Sequence, residues 1–236
     1  MADAGNIIIQ SKCVPHDWQP YYPNNPIIGV FPNNRQIIEF DCSSEFTGKN
    51  KIPFASAQYF TRRFKYGLQF PEVKGYIARL DHGGHDGFFT PNNINTYTLH
   101  RLSADSSLTS DEIWKDWAET KYGKKAAPYA IKVLYPSEVI IKKTLYHLEF
   151  WITNKSYLPT FSYGDGHISS RTIAKWKPNE SKYKILEKKL NHPDAEIYEK
   201  LLAEKGEAIV MIQKALVNLR EGKSTKSLSY LFSNHF

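Results

Sequence analysis

The sequence predicts an α/β fold: a parallel sheet built from βα units, followed by a mainly α-helical C-terminal region. Three observations lead there. Short β-branched runs at 6–10, 36–41 and 75–80 are each followed by a polar loop and then a helix or long crossover, the pattern of βα units. Strand and helix patterns alternate from Met1 to about Asp105, and beyond that nearly all of the chain reads as helix, which divides it into 1–105 and 106–236. With 41% hydrophobic residues over 236 positions, the chain can bury one sizeable core, or one core with a helical annex.

The elements follow in order. Asn6-Ile7-Ile8-Ile9-Gln10 suits a buried parallel strand, and Val14 to Asn34 is a Pro- and Asn-rich loop suited to a ligand site. Gln36-Ile37-Ile38-Glu39-Phe40-Asp41 is the second strand, and Ser56 to Phe70 has the aromatic and charged mixture of a surface helix. Gly75 to Leu80 is the third, ending in Asp81-His82-Gly83-Gly84-His85-Asp86-Gly87 ahead of a helical stretch, Ile94 to Leu102. Thr109-Ser110-Asp111-Glu112 is a capping box, which places a helix over Ser110 to Tyr122, ending near Gly123. Ala126 to Leu148 is apolar-periodic, with Pro136 set to break it, and Ala195 to Arg220 repeats apolar residues at helical spacing. Trp151 to Trp176, rich in Gly, Ser and aromatics, reads as a loop over a surface.

In barrels of βα units, functional residues sit just past the C-terminal ends of strands. Lys12, Asp17, Glu45, Asp81 and Asp86 fall there. Three parallel strands leave two edges unpaired and do not close a barrel, so the sheet is expected to pair with another chain or with strands preceding Met1.

Composition narrows the classes. There is no run of 18 apolar residues and no signal-peptide pattern at Met-Ala-Asp-Ala-Gly-Asn, so no membrane is called for. Cys13 and Cys42 are too few for a disulfide framework and lack zinc-site spacing. The net charge of +7 admits nucleic acid or an acidic small substrate. Its short clusters (Arg62, Arg63, Lys65, Lys142, Lys143, Lys188, Lys189) are mixed with acids and read as solvated faces, so nucleic acid ranks last among partners.

Two carboxylates stand beyond predicted strands, Asp17 in Pro15-His16-Asp17-Trp18-Gln19 and Glu45 in Ser44-Glu45-Phe46-Thr47-Gly48. Sugar hydrolysis uses such a pair, one group protonating the leaving oxygen and another activating water or attacking. On spacing alone, loop caps or surface charges are the favoured account of them. The wider text adds Gln10-Ser11-Lys12, Asn25-Pro26-Ile27-Ile28-Gly29 and Glu39-Phe40. From Ile7 to Gly48 the chain resembles the α-glucuronidases of glycoside hydrolase family 67. There a strand ending in Lys is followed by Pro-x-Asp-Phe-Gln and a strand leading into Gln-Glu-Tyr-Thr-Gly. A fainter likeness continues through Val73 to Gly123, with Asn95-Thr96-Tyr97, Arg101-Leu102 and Leu108-Thr109-x-Asp111-x-Ile113, and fades after Leu148.

The resemblance implies the last three or so βα units of a TIM-type (β/α)8 barrel and a cytoplasmic setting, although the residues themselves fix no compartment. It also implies an inverting hydrolysis in which Asp17 and Glu45 hold and deprotonate the attacking water, while Lys12 lies close to the uronate. A cation there is physically sensible, because a carboxylate entering a low-dielectric pocket must be paired. The family's general acid lies upstream of this segment, so the missing barrel half or a self-associated chain is the expected partner, with a uronic-acid-bearing glycan as ligand and no cofactor. Cys13-Val14 stands where the family has an Asn-Gly type step, Phe46 replaces Tyr, and the His82 to Gly87 loop does not match, so the leaving-group side is expected to differ.

Among the aromatics near the site (Trp18, Tyr21, Tyr22, Phe88, Phe89), Trp18 is taken as the one that stacks on sugar; the others read as loop packing. In the His82, His85, Asp86 loop no further metal ligand announces itself. Loop hydrogen bonding is its plainest role, and Asp86 is taken as a substrate contact. His167 and Arg171 fit a connecting loop as well as a carbohydrate contact, and Trp114 and Trp117 read as core. The rival to an enzyme is a non-catalytic carbohydrate-binding or scaffold protein on a partial barrel.

Overall fold

A computed structural model describes residues 7–15, 18–48, 52–80, 89–149 and 193–222. The sheet consists of β1 (Ile9–Lys12), β2 (Gln36–Asp41) and β3 (Val73–Arg79), in that order and wholly parallel. The helices are α1 (Ala57–Gly67), α2 (Asn93–Ala104), α3 (Ser110–Tyr122), α4 (Ala127–Leu134), α5 (Ser137–Leu145) and α6 (Ala195–Gly222). β1 lies two residues later than the β-branched run suggests, because the ladder pairs Ile9 with Gln36 and Lys12 with Glu39. Ile7 and Ile8 are more than half exposed, and Lys12 is the last residue of the strand rather than the first beyond it.

Side chains alternate across the sheet. Phe40 meets Phe60 and Phe64 of α1, and Phe64 meets Tyr76 of β3, so Ile38, Phe40 and Tyr76 face the helices. The opposite face carries Gln10, Glu39, Ile77 and Arg79; Gln10 donates to Glu39 at 3.0 Å, and Ile77 is 39% exposed. Among the described residues no strand pairs the outer edge of β1 or β3.

α1 begins at Ser56, whose Oγ accepts from the Tyr59 N–H at 3.1 Å. Its inward stripe is Tyr59, Phe60, Arg63, Phe64 and Gly67, the spacing of one helix face. Arg63 corrects the expectation of a solvated cluster. It is 5% exposed, stacks on Tyr59 at 4.5 Å, and donates to Asn24 Oδ1 at 3.0 Å and to the Tyr22 carbonyl. A guanidinium supplies several donors in one plane, and here they tie the β1–β2 loop to α1.

Gly29, at φ +81, closes that loop. A Cβ there would stand 2.0 Å from the Phe70 ring, and the Gly29 N–H donates to the buried Gln36 at 2.7 Å.

The capping box forms as read: Thr109 Oγ1 accepts from the Glu112 N–H, and Glu112 accepts from the Thr109 N–H at 2.8 Å. Pro136 divides the next apolar stretch into α4 and α5. One hydrophobic core runs from Cys13 to Tyr146 and contains Trp114 and Trp117. α6 packs on α4 and α5; Lys205 donates to the Lys143 carbonyl at 2.6 Å and to that of Tyr146, and Glu204 accepts from the Leu148 N–H at 3.2 Å. No helix among the described residues is long and apolar enough to cross a membrane.

Candidate active site

The loop from β2 to α1 carries Glu45, and buried polar contacts hold it at both ends. At its start, Asp41 Oδ1 accepts from the Ser43 N–H at 2.9 Å and from the Ser43 hydroxyl, while Oδ2 accepts from the Glu45 N–H at 3.0 Å. Such a side chain replaces the ladder that ends at the strand. Burial raises the Asp41 pKa; the Ser43 hydroxyl, the two N–H groups and Arg79 pull the other way without cancelling it.

Ser44 sits at φ 59, in the left-handed region, and its Oγ accepts from Asn92 Nδ2 at 2.7 Å. The Tyr146 hydroxyl donates to the Phe46 carbonyl at 2.9 Å. Gly48 makes the exit turn at φ +106, where a Cβ would stand 2.5 Å from the Ile52 carbonyl oxygen.

Beyond the turn, residues 54–56 are stitched to the helical layer. The Phe54 N–H donates to Asn92 Oδ1 at 2.8 Å, and the Ala55 N–H donates to Ser137 Oγ at 3.0 Å. The Ser56 N–H donates to Asn95 Oδ1 at 3.0 Å, and its hydroxyl donates to Glu138. These contacts satisfy a buried backbone that has no ladder of its own.

Glu45 is 6% exposed, and its Oε2 lies 2.8 Å from Nη1 of Arg79, the last residue of β3. The Arg79 guanidinium lies 4.7 Å from the Trp18 ring centroid, and the Lys12 ammonium lies 3.9 Å from the same centroid. Trp18, like Ser44, holds a positive φ, of 50°, a conformation that costs a bulky residue energy and is met at ligand-binding positions. Its loop is pinned by Asn25, whose amide donates to the Lys12 carbonyl at 3.0 Å, in addition to Arg63.

Lys12, Trp18 and Glu45, three of the five residues singled out from the sequence, therefore meet at the C-terminal ends of the parallel strands. Asp17 and Asp86 lie outside the described residues, as do His82, His85, His167 and Arg171. Sequence reasoning missed Arg79, Asp41 and Asn92. Arg79 and Asp41 end their strands, but only the cross-strand register of the folded sheet places them side by side. Asn92 carried no signal in the sequence, since its side-chain bonds to Ser44 and Phe54 reach back 48 and 38 residues.

Cys13 and Cys42, just past β1 and β2, are almost fully buried free thiols; burial pushes the Cys13 thiol up to about 12 and Cys42 higher still. Among the described residues no group of three or more His, Cys, Asp or Glu side chains forms a metal-binding set.

A parallel sheet with helices packed on it defines an α/β protein, and its charged and aromatic candidate residues gather at the strands' C-terminal ends, where that class usually binds ligands. Residues 3–86 match the model of the glycosyl hydrolase family 67 middle domain, which relates this part of the chain to that family and includes all five of the site residues singled out from the sequence. No curated protein matches the chain.

Proposed function

We propose that the chain forms part of a glycoside hydrolase that removes a glucuronic-acid side group from xylan-type oligosaccharides with inversion. The observation that carries this is the meeting of Lys12, Trp18 and Glu45 at the strands' C-terminal ends, inside the segment related to family 67. Glu45, with Asp17 beside it in the family pattern, positions and deprotonates water. Lys12 pairs with the sugar's carboxylate, and Trp18 and Asp86 contact the ring.

Inversion needs a general acid about 6.5–9.5 Å from the base carboxyl, and that acid comes from outside this chain. Further βα units pairing with the outer edges of β1 and β3 would complete a (β/α)8 barrel and cover Ile77, from a barrel half homologous to the family's upstream region or from a second copy. Residues 1–105 then form the barrel part and 106–236 its helical extension.

The Glu45–Arg79 ion pair favours one other reading, a non-catalytic glycan-binding protein, because Glu45 Oε2 already accepts from the Arg79 guanidinium at 2.8 Å and so is engaged rather than turned to a water. Hydrolysis separates the two. The purified chain, and the chain joined to the upstream barrel half of a family 67 enzyme, are assayed on xylooligosaccharides bearing 4-O-methylglucuronate, with Glu45→Gln as control. Uronic acid released only by the joined form, and lost in the control, supports the enzyme. Silence of a folded joined form assigns the chain to binding.

A further inference from the structure

We propose that the open face of α6 pairs two copies of this chain, helix against helix and antiparallel. α6 rests on α4 and α5, and Leu201, Glu204 and Ala208 on its inner side are buried. On the outer side Tyr198, Leu202, Ile209, Val210, Leu216 and Val217 are each about half exposed. Leu202, Ile209 and Leu216 recur every seven residues with Val210 and Val217 alongside, so the apolar side chains form one stripe along the helix. A helix face turned to water carries polar residues, and a contiguous apolar stripe marks a surface for association.

Charge selects the occupant. From Glu196 to Glu207 the helix carries four acidic and two basic side chains, whereas 208–220 carries Lys214 and Arg220 and no acid. A second α6 lying antiparallel brings the acidic half of each copy against the basic half of the other, and a parallel one would set like charges together at both ends. Centred on Ile209, the antiparallel pairing places Leu202 opposite Leu216 of the second copy and Glu199 beside Arg220 of the second copy. A two-fold axis makes each contact twice. Glu199 and Arg220 are exposed, and neither has an ion-pair partner among the described residues.

Gly206 lies on the same face, between Leu202 and Ile209. A Cβ there would meet nothing within 4 Å, so no contact among the described residues calls for a glycine, and glycine weakens a helix interior. The antiparallel pairing gives it a use: it stands opposite Ile212 of the second copy and leaves room for that side chain. The inference concerns the helical region alone and is independent of the glycan reading.

The test is sedimentation equilibrium of the full 236-residue chain over a concentration series, with circular dichroism and thermal unfolding checking each variant. Wild type is expected to dimerise reversibly. Ile209→Glu should raise the dissociation constant about a hundredfold or more, because two charges would be buried without partners, and should leave the monomer's thermal midpoint unchanged. Glu199→Arg and Arg220→Glu should each weaken the dimer about three- to tenfold through the loss of two exposed ion pairs, and the double exchange should restore it.

A folded wild type that stays monomeric at every concentration overturns the proposal. So does a dimer indifferent to Ile209→Glu, which would lie elsewhere on the chain. An Ile209→Glu monomer that melts well below wild type's would show that the face is covered from within the chain. Failure of the double exchange to restore what each single exchange weakens overturns the antiparallel arrangement.

Discussion

The backbone N–H of Glu45 donates to Oδ2 of Asp41 at 3.0 Å, so the carboxylate that ends β2 holds in place the residue carrying the site's own carboxylate. Asp41 also accepts from the Ser43 N–H. Asp41→Ala strands these buried donors and should destabilise the chain by about 1–3 kcal/mol. Burial raises the Asp41 pKa, so the folded state binds a proton more tightly than the unfolded state. The stabilisation is therefore fully present at low pH and declines as pH rises above the ordinary carboxylate value. The gap between wild type and Asp41→Ala, read by urea denaturation, should be larger at pH 4 than at pH 7. A gap that widens with rising pH would refute this account.

Asn92 joins the Glu45 loop to the segment entering α1 by donating to Ser44 Oγ and accepting from the Phe54 N–H, at 2.7 and 2.8 Å. It is 1% exposed, so water cannot replace either contact. Asn92→Ala should cost about 2–3 kcal/mol, with a fall in Tm of about 2–4 °C per kcal/mol for a chain of this length. Amide exchange should accelerate at Phe54 while the centre of β2 remains protected. A thermal midpoint equal to wild type's would show that the contact contributes nothing.

His147 should make the fold acid-sensitive. Burial, and secondarily the Lys205 ammonium, lowers its pKa from 6.5 to about 4. Between those values the unfolded chain takes up a proton that the folded chain refuses, so stability falls as pH drops from 6.5 towards 4, by at most about 1.4 kcal/mol per pH unit for one proton. His147→Gln should flatten that part of the stability profile, measured by chemical denaturation at several pH values. An unchanged slope would mean that His147 is not the group responsible.

The two thiols should be inert in the native state. Cys13 and Cys42 are 2% and 1% exposed, and burial opposes their ionisation, so a thiolate-seeking reagent has neither access nor nucleophile. Titration with a disulfide reagent at pH 8 should detect neither thiol in the folded chain and both after denaturation. Rapid labelling without denaturant would show that the C-terminal end of the sheet opens readily.

The sequence by itself determined the parts of this protein whose signals are local. The strands at Gln36 and near Gly75, the Thr109–Glu112 capping box and the break at Pro136 each follow from a few adjacent residues: β-branched runs, a hydroxyl three positions before a Glu, a missing N–H. The motifs between Ile7 and Gly48 resemble those of family 67, and residues 3–86 match the model of that family's middle domain. The tertiary structure alone decided the contacts between distant positions. Arg63 reads as surface charge in Arg62-Arg63 and is buried because Tyr59, Asn24 and the Tyr22 carbonyl receive its plane. Ile7 and Ile8 have strand propensity but lie outside the ladder, since pairing with Gln36 starts at Ile9. Arg79 becomes a site residue only because parallel register brings the ends of β2 and β3 level. Propensity acts over a few residues, whereas hydrogen bonds and ion pairs join whatever the chain brings within about 3 Å, and that proximity is created by packing.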